Sequence, residues 1–366
     1  MRIPKTILLF LFYFTLITSC KLKKNSTINL IPVLVDKQYQ YINQEGKIVI
    51  NPQFSEATIF RDGLALVKST GDKSMWGFIN EDGKYIIQPK YKYATVFNEG
   101  LAWVVSENGA PACIDTKGEI KFTLAHAEEV SIFSEGLAAY KEINTEGKEK
   151  WGFVDIKGKI KINAQFSDVL IFTENKCAVA NENGKYGFID RSGKIIIDYQ
   201  FDFIKPFNNN KSIVEFGEKY GIIDSKGKYI LNPQYSSILE DGNMFLIGQD
   251  NKRGWVDNTG KIIINPQFEE AYPFFESQLA PVKSGETYGY INREGKITIN
   301  PQFEESFSFN GNLALISSAK KIGFINKGKY VVNPQYDGIS MDYLTSIIMG
   351  NHSFPSVETD FLILML

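Results

Sequence analysis

The sequence predicts an all-β chain: a tandem repeat array of about nine β-meander units stacked as an open, curved β-solenoid, with a propeller-like ring as the alternative. Three observations predict it. A five-residue run of aromatic, glycine, aromatic or aliphatic, aliphatic, and Asn or Asp recurs, as in Trp76-Gly77-Phe78-Ile79-Asn80, Trp151-Gly152-Phe153-Val154-Asp155 and Tyr288-Gly289-Tyr290-Ile291-Asn292. A turn glycine follows each run, at Gly46, Gly83, Gly118, Gly158, Gly193, Gly227, Gly260, Gly295 and Gly328, spaced 33 to 40 residues apart. Each unit of about 35 residues is too small to bury an apolar face alone, so neighbours must stack and stability becomes a sum of nearest-neighbour terms.

The chain divides in order. Residues 1–19 read as a signal peptide, with Arg2 and Lys5 ahead of an apolar stretch from Ile7 to Ile17 that is shorter than the roughly 20 residues a spanning helix needs. Ile17-Thr18-Ser19-Cys20 resembles a bacterial lipobox. That resemblance makes Cys20 the first mature residue and the site of lipidation, a palmitate-type acyl anchor whose chains partition into a bilayer at about 0.8 kcal/mol per buried CH₂. Residues 20–38 follow as a lipid-anchored tether, 39–337 as the repeat array, and 338–366 as a degenerate or truncated C-terminal tail.

Within a unit, residues 288–292 form a strand, Asn292 and Gly295 make a tight turn, and Ile297-Thr298-Ile299 returns. Pro301 ends the ladder, because proline cannot donate to it. Residues 312–316 form a third strand. The glycine after the aromatic permits close approach of a neighbouring aromatic or backbone, since a glycine inside a strand otherwise weakens it. The consensus of aromatic-Gly-Phe-Ile-Asp, turn Gly-Lys, Ile-Ile-Asn-Pro-Gln-Phe and a Gly63-Leu64-Ala65-Leu66-Val67 run resembles the WG-repeat (KWG-repeat) family. The resemblance covers residues 39–337 and implies an exported all-β array with no shared catalytic activity. Three strands in about 35 residues, irregular spacing and a degraded third copy favour an open stack over a ring that must meet its own first blade.

Composition narrows function. With 40 Lys plus Arg against 42 Asp plus Glu, no basic field favours nucleic acid. The two histidines, His126 and His352, are far apart, which leaves metal and acid-base constellations without their commonest ligand. Trp76, Trp103, Trp151 and Trp255 sit at packing positions of the repeat and are assigned to the core rather than to sugar stacking. Asp155, Asp190, Asp224 and Asp257 interchange with Asn43, Asn80, Asn292 and Asn326, which fits turn formation and not a calcium loop. Cys113 and Cys177 read as small buried residues without a bridge, and no nucleophile has a nearby histidine. The irregular third repeat, with His126, is the place for a partner site. The expected function is a surface or periplasmic lipid-anchored repeat scaffold for protein or ligand binding in the bacterial cell envelope. It is expected to have no catalysis, cofactor or metal, and to meet the membrane through lipid on Cys20. The alternative is a cell-wall or surface-glycan-binding module.

Overall fold

Each unit folds as one antiparallel sheet whose strand order follows the chain. The structure, a computed structural model, describes residues 29–106 and 109–349, so the leader, Cys20 and His352 lie outside the described residues. In the second unit the strands are Glu56–Ala57, Ala65–Lys68, Trp76–Ile79 and Tyr85–Tyr91. Among the described residues there are nine such sheets, eight of four strands and one of three. The short first strand forms the inner edge of a sheet, and the strand carrying Asn-Pro-Gln forms the exposed outer edge.

The first sheet draws on both ends of the array. Gly338–Ile339 pairs with Ile31–Val35, Val33 opposite Ile339 and Leu34 opposite Gly338. The sheets therefore close into a nine-bladed ring, a β-propeller, with the closing sheet as blade 1 and blades 2 to 9 beginning in chain order at Glu56, Tyr93, Glu129, Asp168, Phe203, Ser237, Ala271 and Glu305. This corrects the open solenoid in favour of the ring given as the alternative. The physical reason is the inner strand, which in blade 2 is only two residues long and leaves no alternating pattern to read. About 35 residues thus hold four strands, not three.

The repeat chemistry explains the blade. At the start of most of the tight turns the Asn or Asp Oδ1 accepts two backbone N–H groups, as Asp224 does from Lys226 and Lys228, both at 2.9 Å; Asn80 accepts one, from Lys84, and Asn326 begins a shorter turn in which it pairs with Lys329. Opposite the strand glycine, the Asn-Pro-Gln segment bulges: Tyr220 faces Tyr235 while Ile222 faces Leu231, so the outer strand carries two extra residues. The bulged backbone lies directly over the glycine. A Cβ on Gly77, Gly152, Gly187, Gly221, Gly254, Gly289 or Gly323 would stand 2.4–2.7 Å from a backbone atom of the outer strand. Blade 1 keeps the bulge with the buried Gln40 at this position, so the constraint belongs to the other copies.

Blades interlock by three repeated contacts. The turn glycine of each blade rests on an outer-strand side chain of the blade before it, as Gly193 does on Ile162 and Gly227 on Ile197, and Gly46 on Val332 completes the circle. The third-strand aromatic packs on a phenylalanine of the next blade: Tyr41 on Phe60 at 5.2 Å, Phe78 on Phe97 at 4.7 Å, Phe188 on Phe207 at 4.4 Å. A carboxylate in the inner hairpin reaches the next blade's hairpin backbone, from Asp62 to Gly100, from Glu99 to Glu135 and Gly136, from Glu135 to Asn175, and from Glu174 to Asn210, at 2.7–2.9 Å.

Residues 338–349 lie beyond the repeat pattern. After the closing strand comes a helix, Met341–Met349, whose Tyr343, Leu344, Ile347 and Ile348 are buried with Ile31, Val33, Ile59, Phe307 and Phe324. Tyr343 meets Phe324 of blade 9, the place a loop phenylalanine holds elsewhere.

Candidate functional site

Where the inner strand begins, three blades carry the same polar row. In blade 2 Glu56 pairs across the sheet with Lys68 and Lys68 with Trp76. Lys68 Nζ stands 2.6 Å from Glu56 Oε1 and 5.3 Å from the Trp76 ring centroid. Blade 4 repeats this with Glu129, Lys141 and Trp151, where Lys141 bonds Glu129 and sits 5.6 Å from the indole. In blade 8, Lys283 is 2.8 Å from Glu270 and 5.7 Å from Tyr288, whose hydroxyl donates to Glu270 at 2.5 Å. Burial alone would raise the Glu270 carboxyl, but its bonds from Lys283 and Tyr288 hold it below the usual range. These rows were missed from the sequence because each partner sits on a different strand. The recurring intervals, Glu56 to Lys68 and Glu129 to Lys141, were the available signal.

Blade 8 departs from this regularity. Its inner segment makes only the single bridge of Ala271 with Val282, and Tyr272 leans on Phe307 at 5.3 Å and on Tyr288 at 6.5 Å. Burial pushes the Tyr272 phenol well up, helped by Glu270 and Glu305. Between blades 7 and 8, Asp241 accepts from Trp255 Nε1 at 2.7 Å and from the Phe274 and Phe275 amides at 2.9 and 2.5 Å. Burial outweighs these donors and pushes its carboxyl up to about 6. The folded protein therefore holds this proton more tightly than the unfolded chain, whose aspartate titrates near pH ~3.9. Stability contributed by the protonated form is present below that value and is lost as pH rises toward about 6. Asp241→Asn is expected to remove that slope and, by leaving a buried N–H without an acceptor, to cost about 1–3 kcal/mol at pH 4. Melting temperatures from pH 4 to 7 check this; an unchanged slope would refute it.

A second feature is a groove of about 650 Å³ between blades 3 and 4, lined by Glu99, Leu101, Ile120, Lys121, Phe122, Ile156 and Lys157. Blade 3 has lost both the strand glycine, replaced by Ala112, and the Asn-Pro-Gln bulge, and its outer strand is only Ile120–Thr123. Ile156 occupies a turn position that is polar in every other copy: Gln44, Glu81, Thr116, Arg191, Ser225, Asn258, Arg293 and Lys327. Ile120 and Ile156 are exposed, 66% and 48%.

The remaining sequence candidates scatter. All four tryptophans are buried, and Trp103 stacks on Phe133 at 5.5 Å, supplying the blade 3 aromatic that Cys113 lacks. Cys113 and Cys177 are buried free thiols. Asn43, Asn80 and Asn292 bond the turn backbone as the aspartates do, and Asp115, Asp155, Asp190, Asp224 and Asp257 are held below the usual carboxylate range. His126 is exposed beside Glu142 at 3.5 Å, with its ring edge on Tyr140. Among the described residues no group of three His, Cys, Asp or Glu could hold a metal ion.

Comparison with known proteins gives one family. The model described as "WG containing repeat" matches residues 41–73, 76–109, 151–186, 186–220, 220–252, 254–288 and 288–321. No curated protein matches the chain. Among solved structures, one described as a eukaryotic initiation factor is similar at TM-score 0.59 and 13% identity, covering 86% of this chain and 97% of that one. BamB from Moraxella catarrhalis aligns at TM-score 0.43 and 10% identity over 79% and 98% of the two chains. At 13% identity the first of these shares the fold alone.

Proposed function

Because the chain belongs to the WG-containing-repeat family, we propose that it is a binding scaffold and not an enzyme, lipid-anchored through Cys20 in a bacterial envelope, with a protein partner at the groove between blades 3 and 4. One observation carries the reading: the loss of the blade 3 bulge and the apolar Ile156 at the blade 4 turn tip meet at the same groove. An exposed isoleucine, Ile156, at a turn position that the repeat elsewhere keeps polar suits partner recognition. The inner-rim carboxylates of blades 2, 4 and 8 are bonded within their own rows, which supports a structural role for them over catalysis. A glycan-binding alternative would have to use aromatics other than the four buried tryptophans.

A photo-crosslinking residue at Ile156, in cells expressing the full chain, is expected to trap one discrete envelope protein, while the same residue at Ser225 traps none. Equal, diffuse adducts at both would remove the groove from the reading. Palmitate labelling that persists in Cys20→Ala would remove the anchor.

A further inference from the structure

The polar rows of the inner rim can be compared across all nine blades. Blades 2, 4 and 8 place a lysine on the rim carboxylate. Blade 5 has Ala180 where the lysine would stand, and Asp168 takes the Tyr186 hydroxyl instead. Blades 3, 6 and 1 begin this row with Tyr93, Phe203 and Gly338, which need no cation, and blade 7 joins Ser237 to Arg253. Blade 9 differs. Its carboxylate, Glu305, faces Ser317 in the register where Glu56 faces Lys68 and Glu129 faces Lys141, and Ser317 in turn faces Ile322 instead of an aromatic. Glu305 is half-buried and makes no hydrogen bond or ion pair among the described residues. The adjoining Glu304 accepts from the Ala319 amide at 3.0 Å, and the nearby Lys283 is bonded to Glu270.

We propose that the blade 8–blade 9 junction of the inner rim is a binding site for an ammonium or guanidinium group, held by Glu305 in the position that a lysine of the chain fills in blades 2 and 4. The surroundings suit that charge. Tyr272, packed on Phe307 at 5.3 Å and beside Tyr288, brings aromatic faces to the junction, and cations are attracted to such faces. Burial first, then the neighbouring Glu270 and Glu304, raise the Glu305 carboxyl while Lys283 lowers it, and a cation seated directly on Glu305 would further favour its charged form. The irregular inner segment of blade 8 replaces the strand that elsewhere flanks this row. The site gives the binding-scaffold reading a ligand chemistry and rests on it.

Two sources of the cation are distinguishable, a free small amine and a Lys side chain of a partner protein. Calorimetric titrations of the full chain at low salt would use n-butylammonium for the first and the peptide acetyl-Gly-Lys-Gly-amide for the second. Binding with a Kd of about 1 mM is expected for at least one probe, with the tighter one naming the source. Glu305→Gln is expected to weaken it at least about tenfold, which corresponds to about 1.4 kcal/mol. Ser317→Lys, which restores the blade 2 arrangement, is expected to abolish binding and raise the melting temperature. Absence of binding by both probes, or equal binding by wild type and Glu305→Gln, overturns the site even if Ser317→Lys is stabilised. Glu305→Gln remains informative if Ser317→Lys fails to fold. This result is independent of crosslinking at Ile156, so each idea fails separately.

Discussion

A chain ending at Asp337 is expected to lose the closed ring, whereas one ending at Met349 keeps it. The shorter chain lacks Gly338–Ile339, leaving Ile31–Val35 as an unpaired inner edge. It also lacks the helix, whose Tyr343, Leu344, Ile347 and Ile348 fill the cluster joining Ile31, Val33, Ile59, Phe307 and Phe324. At about 1.5–3 kcal/mol for each fully buried aliphatic side chain, Leu344, Ile347 and Ile348 contribute on the order of 4.5–9 kcal/mol, an upper bound because unfolded chains already bury some surface. The helix also reaches past the closing blade, since Asp342 accepts from the Ile59 amide of blade 2. Its loss therefore loosens blades 9, 1 and 2 together. Small-angle scattering should show a larger radius for the Asp337 chain, and hydrogen exchange should accelerate first in residues 31–35. Unchanged scattering and melting temperature would mean that the blade interlocks alone, Gly46 on Val332 included, hold the ring shut.

That closing contact marks the limit of what could be read from residues alone. The repeat, its turns and the burial of the tryptophans were legible because each is local: an Asx residue and a turn glycine lie three residues apart, and the same pattern recurs along the chain. Closure is the opposite case. Val33 meets Ile339 across nearly the whole chain, through a strand of two residues that carries no periodicity. The degraded third copy, which by itself favours an open stack, is accommodated inside the ring because Trp103 from the second strand fills the space that Cys113 leaves on the third. Such an exchange between strands is invisible to a reading that aligns one position at a time. The same limit hid the groove: Ile156 stands out only when the turns are compared, and it becomes a site only when blade 3 is seen beside it.

Gly221→Ala is expected to destabilise the protein by more than about 2 kcal/mol, a large effect for a single methyl group. Ordinary exchange of glycine for alanine inside a strand is favourable, by roughly 0.5–1 kcal/mol, because the unfolded chain loses freedom. Here the new Cβ would stand 2.6 Å from the Leu231 carbonyl oxygen and 2.9 Å from the Pro233 nitrogen, and neither belongs to a flexible side chain that could swing aside. Relief requires moving the bulge, but the bulge is fixed at both ends, by Ile222 against Leu231 and by Tyr220 against Tyr235. Moving Leu231 would also disturb the neighbouring blade, since Gly260 rests on its side chain. The strain therefore passes from blade 6 to blade 7. A control separates this from loss of glycine as such: Gly285 has φ of +65° and nothing within 4 Å of a built Cβ, so Gly285→Asn, which tolerates that conformation, is expected to change stability by less than about 1 kcal/mol. Denaturant midpoints of the two variants decide the matter. If Gly221→Ala proves no worse than Gly285→Asn, the outer-strand bulge is compliant, and the glycine of the repeat is there for turn-free flexibility instead of the close passage of a neighbouring backbone.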